Sequence, residues 1–216
     1  GNPLDKNPLQ DARVRQAISL MIDRNAIIDR LLYGAGEAAG QIVPIGVFGY
    51  NDAIEVPQAN VDRAKELLAE AGYPDGFGIT VHSSNDRFSQ DGELAQVLGQ
   101  FLARGGLKVN GVETFPYSVY SKDAGKNAYG AFVFSYGNST GESSRGLLSA
   151  MHSYDKESGM GTLNRFRYSN PDFDAAIEAA VQIFDPEERE QALKDAAAIA
   201  AADTAVVPLY FQALSW

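Results

Sequence analysis

At 216 residues the chain has room for one large domain with a substantial core, or for two small ones. Hydrophobic residues make up 45%, charged residues 21% and aromatics 10%, a balance that fits a globular chain and excludes disorder. A net charge of -10 repels phosphate backbones and anionic lipid, which argues against a nucleic-acid partner, and the absence of cysteine removes disulfides, thiolate catalysis and cysteine-built metal sites. The longest alanine-rich apolar run, Ala196 to Ala202, is far short of the roughly 20 residues of a membrane span, so the chain is not expected to cross one. No basic stretch followed by an apolar core opens the sequence. Gly1 stands where an initiator Met would, and the apolar Leu209-Tyr210-Phe211 lies almost at the last residue. The chain is therefore expected to be a piece of a longer protein.

The first predicted element runs from Asp11 to about Asp23, where Val14, Ala17, Ile18, Met21 and Ile22 form a helical stripe. A second short helix follows over Arg24 to Leu32 and ends at Gly34 and Gly36. Gln41 to Tyr50 is apolar but broken by Pro and Gly, so it reads as a loop with one short strand near Ile42 and Val43. Asn60 caps a predicted helix that buries Val61, Ala64, Leu67, Leu68 and Ala71, with Gly72 and Pro74 stopping it. Ile79 to His82 reads as a strand, Gln90 to Arg104 as a helix, Leu107 to Phe115 as a strand and Tyr117 to Asp123 as a helix. Ala131-Phe132-Val133-Phe134 is a continuous apolar strand, the pattern of a strand covered on both faces. Asn170-Pro171 and Asp185-Pro186-Glu187-Glu188 each open a helix with a cap and an N1 proline, and Val206 to Phe211 forms the last strand. Helices alternating with single strands predict an α/β fold, a mixed sheet flanked by helices, with residues 1–216 in a single domain.

Gly137-Asn138-Ser139-Thr140-Gly141 matches the G-x-S-x-G of a nucleophile elbow, and it follows an apolar strand as that motif requires. A serine hydrolase needs a histidine base oriented by a carboxylate. His82 and His152 are the only histidines, and Glu142 is the only acid between Ser139 and His152, too close in sequence to the serine for the usual arrangement. The hydrolase reading is accordingly the alternative. Two distant histidines without H-x-x-x-H or H-E-x-x-H spacing give no metal site, and Gly34, Gly36 and Gly40 do not make a dinucleotide loop. No metal or cofactor is expected. Arg145, Arg165 and Arg167 have the donor geometry to grip a carboxylate, although scattered arginines are more often solvated. In α/β sheets the binding groups sit on loops beyond strand C-ends. That places Ser83-Ser84-Asn85-Asp86-Arg87 after one strand and Ser135-Tyr136-Gly137-Asn138-Ser139 after another. Both loops are rich in hydrogen-bonding groups and lack an acid–base pair, which points to recognition without turnover.

Five stretches together resemble one family. They are Asp11-Ala12-Arg13-Val14-Arg15-Gln16-Ala17-Ile18 with Ile22-Asp23-Arg24, Asn60 through Tyr73, Tyr168-Ser169-Asn170-Pro171-Asp172-Phe173-Asp174, Asp185-Pro186-Glu187-Glu188-Arg189, and Ala205-Val206-Val207-Pro208-Leu209-Tyr210. In this order they resemble the periplasmic solute-binding proteins of ABC transporters, of the peptide and nickel type. The resemblance implies one lobe, the C-terminal one, of a type II two-lobed clamp that closes on a solute by hinge motion. It implies a non-enzymatic component of an importer that captures a peptide or related small solute and delivers it to permease subunits. A solute-sensing module reusing the same lobe is a further alternative. The implied location is the periplasm, or a lipid anchor outside a Gram-positive cell. Ser135, Tyr136, Asn138 and Ser139 are then expected to contact solute, together with Asn85, Arg87, Asn164 and Arg165. In peptide-binding members an aspartate after the strand equivalent to Ala131–Phe134 holds the ligand's α-amino group. By position Asn138 stands there, and an amide offers an ammonium no charge.

Overall fold

The computed structural model describes residues 7–138 and 140–212. By contact the chain separates into two compact units, Gly1–Ala38 with Pro57–Ser135 and Leu209–Trp216, and Ala39–Val56 with Tyr136–Pro208. The sequence does not announce this division, because the glycine-bearing stretches near two of the points where the chain passes from one unit to the other, Gly34 to Gly40 and Gly137 to Gly141, are too short to read as linkers.

In the first unit, α1 (Ala12–Met21) and α2 (Arg24–Arg30) begin at Asp11 and Asp23, whose carboxylates accept from the Arg13 and Ala26 amides at 2.9 Å each. Asn60 does the same for α3 (Val61–Glu70), accepting from Arg63 at 3.0 Å. Each cap satisfies an otherwise orphaned helix donor and is worth about 1 kcal/mol. The helices bury the stripe that spacing predicts: Val14, Ala17 and Met21 from α1, and Ala64, Leu67 and Leu68 from α3.

The central sheet is parallel. β2 (Gly78–Ser84) lies between β3 (Lys108–Phe115) and β4 (Ala131–Phe132). Ile79, Val81 and Ser83 point into the core while Thr80 and His82 are half-buried on the other face, the period of two that a strand imposes. α4 (Asp91–Arg104) buries Leu94, Ala95, Leu98, Phe101 and Leu102, and α5 (Tyr117–Gly125) follows β3. Gly76, with φ of +65°, is required where it stands, because a Cβ there would lie 2.1 Å from the Gly106 carbonyl oxygen.

Three strand expectations change. β4 is shorter than Ala131–Phe134, although the Val133 amide still donates to the His82 carbonyl at 2.9 Å. The last strand, β5 (Tyr210–Gln212), starts later than Val206 and pairs antiparallel with β1 (Gly36–Ala38), a strand too short to show any period. Parallel and antiparallel pairing therefore occur in two separate sheets. Residues 42 and 43 are loop. The Gln41 side chain instead bonds the Asn51 backbone, donating to its carbonyl at 2.6 Å and accepting from its amide at 3.3 Å, so the backbone is satisfied without a ladder.

The second unit is helical. α6 (Ser144–Gly146) runs into a π turn over Leu147–Met151, closed by the His152 amide on the Leu147 carbonyl at 3.0 Å. α7 (Pro171–Ala180) and α8 (Pro186–Ala202) pack together. Asn170 and Asp185 cap them as predicted, each accepting from two amides. Phe173, Ile177 and Leu193 are fully buried in the core they share with Leu147 and Met151, each side chain contributing roughly 1.5–3 kcal/mol.

Candidate functional site

The loop leaving β2 is held at several points. Its fixed centre is Asp91 at the first position of α4, only 2% exposed. Asp91 Oδ2 accepts from the Ser84 hydroxyl at 2.6 Å and from the Arg87 amide at 2.9 Å, and Oδ1 accepts from the Gly92 amide at 2.9 Å. The Ser83 hydroxyl donates to the Asp91 carbonyl at 3.3 Å. The Asn85 amide extends the sheet by donating to Phe115 at 3.1 Å. Asp86 accepts from the Tyr117 amide at 2.6 Å, at the start of α5. The Arg87 guanidinium lies over the Tyr117 ring, 4.8 Å from its centroid. Asn85 and Arg87 are both exposed, and among the described residues no carboxylate pairs with Arg87. Burial, and then the charge of Asp91, push the Tyr210 hydroxyl up to about 12.

On the other face of the sheet, His82 stacks on Tyr129 with ring centroids 4.3 Å apart, and its Nε2 lies 3.6 Å from Glu113. Tyr120 and Phe115 stack on the same Tyr129 ring. The Tyr120 hydroxyl donates to the Val133 carbonyl, fixing the exit from β4. Ser135 is exposed and ends this stretch of the first unit.

The other candidates belong to the second unit. Tyr136 is half-buried, and its ring lies where a Cβ on Gly146 would be only 3.1 Å away. Asn138 is half-buried with its amide engaged at both ends: Nδ2 donates to the Glu142 carbonyl at 3.2 Å, and Oδ1 accepts from the Thr140 amide at 3.1 Å. Ser139 lies outside the described residues. Glu142, the acid of the hydrolase alternative, is bound by Arg189 at 2.6 and 3.3 Å. That contact holds the Glu142 carboxyl below its ordinary value, against the opposing effect of burial.

Asn164 is 1% exposed. Its Nδ2 donates to the carbonyls of His152 and Tyr168 at 2.8 and 2.7 Å, and its Oδ1 accepts from the Tyr168 amide at 3.0 Å. Arg165 beside it is half-buried, and Arg167 stacks on Tyr154 at 3.8 Å. His152 is buried with both ring nitrogens committed, Nδ1 to the Ser153 carbonyl at 2.8 Å and Nε2 to Glu178 at 2.9 Å. A base so occupied has no lone pair for a serine. A shallow depression of about 440 Å³ in this unit is floored by Phe48 and Tyr50 and rimmed by Asp52 and the Glu190–Lys194 pair, whose charged atoms are 3.2 Å apart. Among the described residues no three His, Asp or Glu side chains are placed to hold a metal ion. No described helix is long and apolar enough to cross a membrane.

Of the residues singled out from sequence, Asn85, Arg87 and Ser135 fall in the first unit, and Tyr136, Asn138, Asn164 and Arg165 in the second. Asp91 and Tyr117 were missed. The available signal was an acid at the first position of a helix that directly follows a polar strand-end loop.

Comparison with known proteins adds family to this geometry. Residues 2–158 match the family described as bacterial extracellular solute-binding proteins, family 5 Middle. The chain is 31% identical over 201 residues to heme-binding protein A of Haemophilus influenzae, covering 90% of this chain and 35% of that protein. It is 28% identical over 213 residues to the glutathione-binding protein GsiB of Salmonella paratyphi A, covering 97% of this chain and 41% of that one. Among solved structures it resembles the ABC transporter-associated periplasmic binding protein DppA of Helicobacter pylori in complex with the peptide STSA, with a TM-score of 0.88 and 24% identity over 96% of this chain and 40% of that chain. At that identity the likeness is one of fold, the type II periplasmic-binding-protein fold over the part that the chain spans. The chain thus spans about two fifths or less of the length of these relatives.

Proposed function

The chain belongs to the bacterial extracellular solute-binding proteins of family 5, and from that membership we propose that it is part of the solute-capturing component of an ABC importer, taking up a small carboxylated solute of peptide-like kind. The captured solute passes to permease subunits at the membrane, and the protein works in the periplasm or on the outer side of a Gram-positive membrane. Both units of the chain belong, on this reading, to one lobe of the complete protein, and the fold supplies capture without turnover.

The observation that carries the reading is Arg87. Its guanidinium stacks on Tyr117, its backbone is tied to a buried aspartate, and no described carboxylate neutralises it in a chain of net charge -10. A planar guanidinium presented in this way is the group best suited to grip a carboxylate through two parallel hydrogen bonds. Haem, glutathione and a peptide, the ligands named for the relatives above, all carry carboxylates. Asn85 and Ser135, both exposed, add hydrogen-bonding groups in the first unit. Tyr136, Ser139 and Arg165 are proposed solute contacts from the second. Asn138 and Asn164 we read as residues that shape their own loops, since their amides are already engaged.

The test is a thermal-shift screen of the full-length protein against di- and tripeptides, glutathione, haem and uncharged analogues. A ligand at a hundred times its Kd adds about 2.7 kcal/mol to stability, which is readily seen. Stabilisation by carboxylated members of the set is the expected outcome. Stabilisation confined to solutes without a carboxylate would overturn the reading.

A further inference from the structure

We propose that Asp91 is a positioning residue, whose buried carboxylate holds the backbone between Ser84 and Arg87 so that the Arg87 guanidinium is presented over Tyr117. This rests on the reading of Arg87 as a solute contact, and it assigns a role to a residue that itself touches no solute.

The case begins with what burial of a carboxylate requires. An ion taken out of water is tolerated only where hydrogen bonds replace its hydration. Asp91 is 2% exposed and accepts three hydrogen bonds, and two of the three donors lie on the strand-end loop. The bond from the Arg87 amide is the decisive one, because it fixes the main chain of the residue that carries the free guanidinium. A second brace comes from the neighbouring acid: Asp86 accepts from the Tyr117 amide, placing under Arg87 the ring on which it stacks. The two aspartates thus set the two halves of the cation–π pair, one through each backbone.

The loop is also strained in a way that this arrangement explains. Gln90, just before α4, is left-handed with φ of +62° and makes no side-chain cap. A residue with a Cβ adopts that conformation only where its surroundings over-determine it. Asp91 supplies that determination, binding Gly92 on the helix side and Ser84 and Arg87 on the loop side. A carboxylate is specifically required. All three groups facing its oxygens are donors, so a carboxamide must turn its NH2 either toward the Gly92 amide or toward the Arg87 amide, and neither can accept.

The experiment uses the full-length protein, with Asp91→Asn, Ser84→Ala, Arg87→Ala and the Asp91→Asn/Arg87→Ala pair. In the absence of solute, NMR should show the Arg87 side-chain protons displaced by the Tyr117 ring in the wild type and returned toward random-coil positions in Asp91→Asn. Exchange of the Arg87 amide should quicken on the order of tenfold or more while amides inside β2 keep their protection. Ser84→Ala should move the same signals less far, and it decides the matter if Asp91→Asn fails to fold. With trialanine and trialaninamide as probes, the wild type should prefer the free acid. Arg87→Ala and Asp91→Asn should each shrink that preference, and the double variant should shrink it no further than Arg87→Ala alone. Unchanged Arg87 signals in both Asp91→Asn and Ser84→Ala, or an acid preference that survives Asp91→Asn, would overturn the proposal. If the wild type bound neither peptide, the reading of Arg87 as a carboxylate receptor would fall, and the solute-free NMR signals would still decide whether Asp91 sets the loop.

Discussion

His152 Nε2 lies 2.9 Å from Glu178 Oε1, and its Nδ1 is 2.8 Å from the Ser153 carbonyl oxygen. Two acceptors facing the two ring nitrogens favour the form of the ring that carries a proton on each. Asp174 adds a further carboxylate 3.8 Å from Nδ1 and also accepts from the Ser153 amide at 2.9 Å. The end of the π turn is in this way tied to α7 by charge.

A pH dependence of known sign results. Burial works against the charged ring, but the Ser153 carbonyl and the Glu178 and Asp174 carboxylates outweigh it and hold the His152 pKa above its ordinary 6.5. Stability from this group is complete below 6.5 and fades as pH climbs through the raised folded value. Thermal unfolding followed between about pH 6 and pH 8 should show a falling midpoint in the wild type. His152→Gln should flatten that part of the profile; an equally steep profile in the variant would assign the dependence elsewhere.

Asn164 is the stitch of the loop between the π turn and α7. Asn164→Ala removes the three hydrogen bonds that the amide makes, in a buried place, to the His152 and Tyr168 carbonyls and the Tyr168 amide. The expected loss is about 2–4 kcal/mol in urea unfolding. A change within 0.5 kcal/mol, the range of ordinary surface substitutions, would mean that water replaces the amide at little cost (roughly 0.5 being the surface norm).

Arg189 and Glu142 should not be equivalent, although they form one ion pair. Arg189 Nη1 also donates to the carbonyls of Ala180, Val181 and Ile183, the free end of α7. Arg189→Ala should therefore cost more than Glu142→Gln, by about 1–2 kcal/mol in the same unfolding experiment. The Glu142 carboxyl is held below its ordinary value of 4.5, so its contribution is complete above that pH and lost as pH falls through the lowered folded value. Equal losses from the two substitutions would show that Arg189 acts through the ion pair alone.

The helices were legible because their signals are local. Asp11, Asn60, Asn170 and Asp185 each cap the helix that follows within a few residues, and the buried stripes keep a 3.6-residue period. The ladder between β1 and β5 was illegible because it joins segments far apart in sequence, and Gly36-Glu37-Ala38 has no apolar alternation to announce it. The division into two units was hidden for a related reason, since each unit is assembled from segments far apart in sequence and no long linker marks where the chain passes between them. Arg87 was legible as a polar group after a strand. What readies it was not: Tyr117 reaches Arg87 from the far end of the next helix and strand, and Asp91, although close in sequence, stands at a helix start, where an acid reads first as a dipole partner. Asn138 and Asn164 show why such residues are hard to assign from sequence, for a polar side chain in a loop is as readily engaged by that loop as offered to a ligand.

The most direct measurement is calorimetric titration of a carboxylated tripeptide into the full-length protein and into its Arg87→Met variant. Saturable binding by the wild type, weakened on the order of tenfold or more in the variant, is the expected result for loss of a bidentate guanidinium–carboxylate pair. Equal affinity in the two proteins would contradict it.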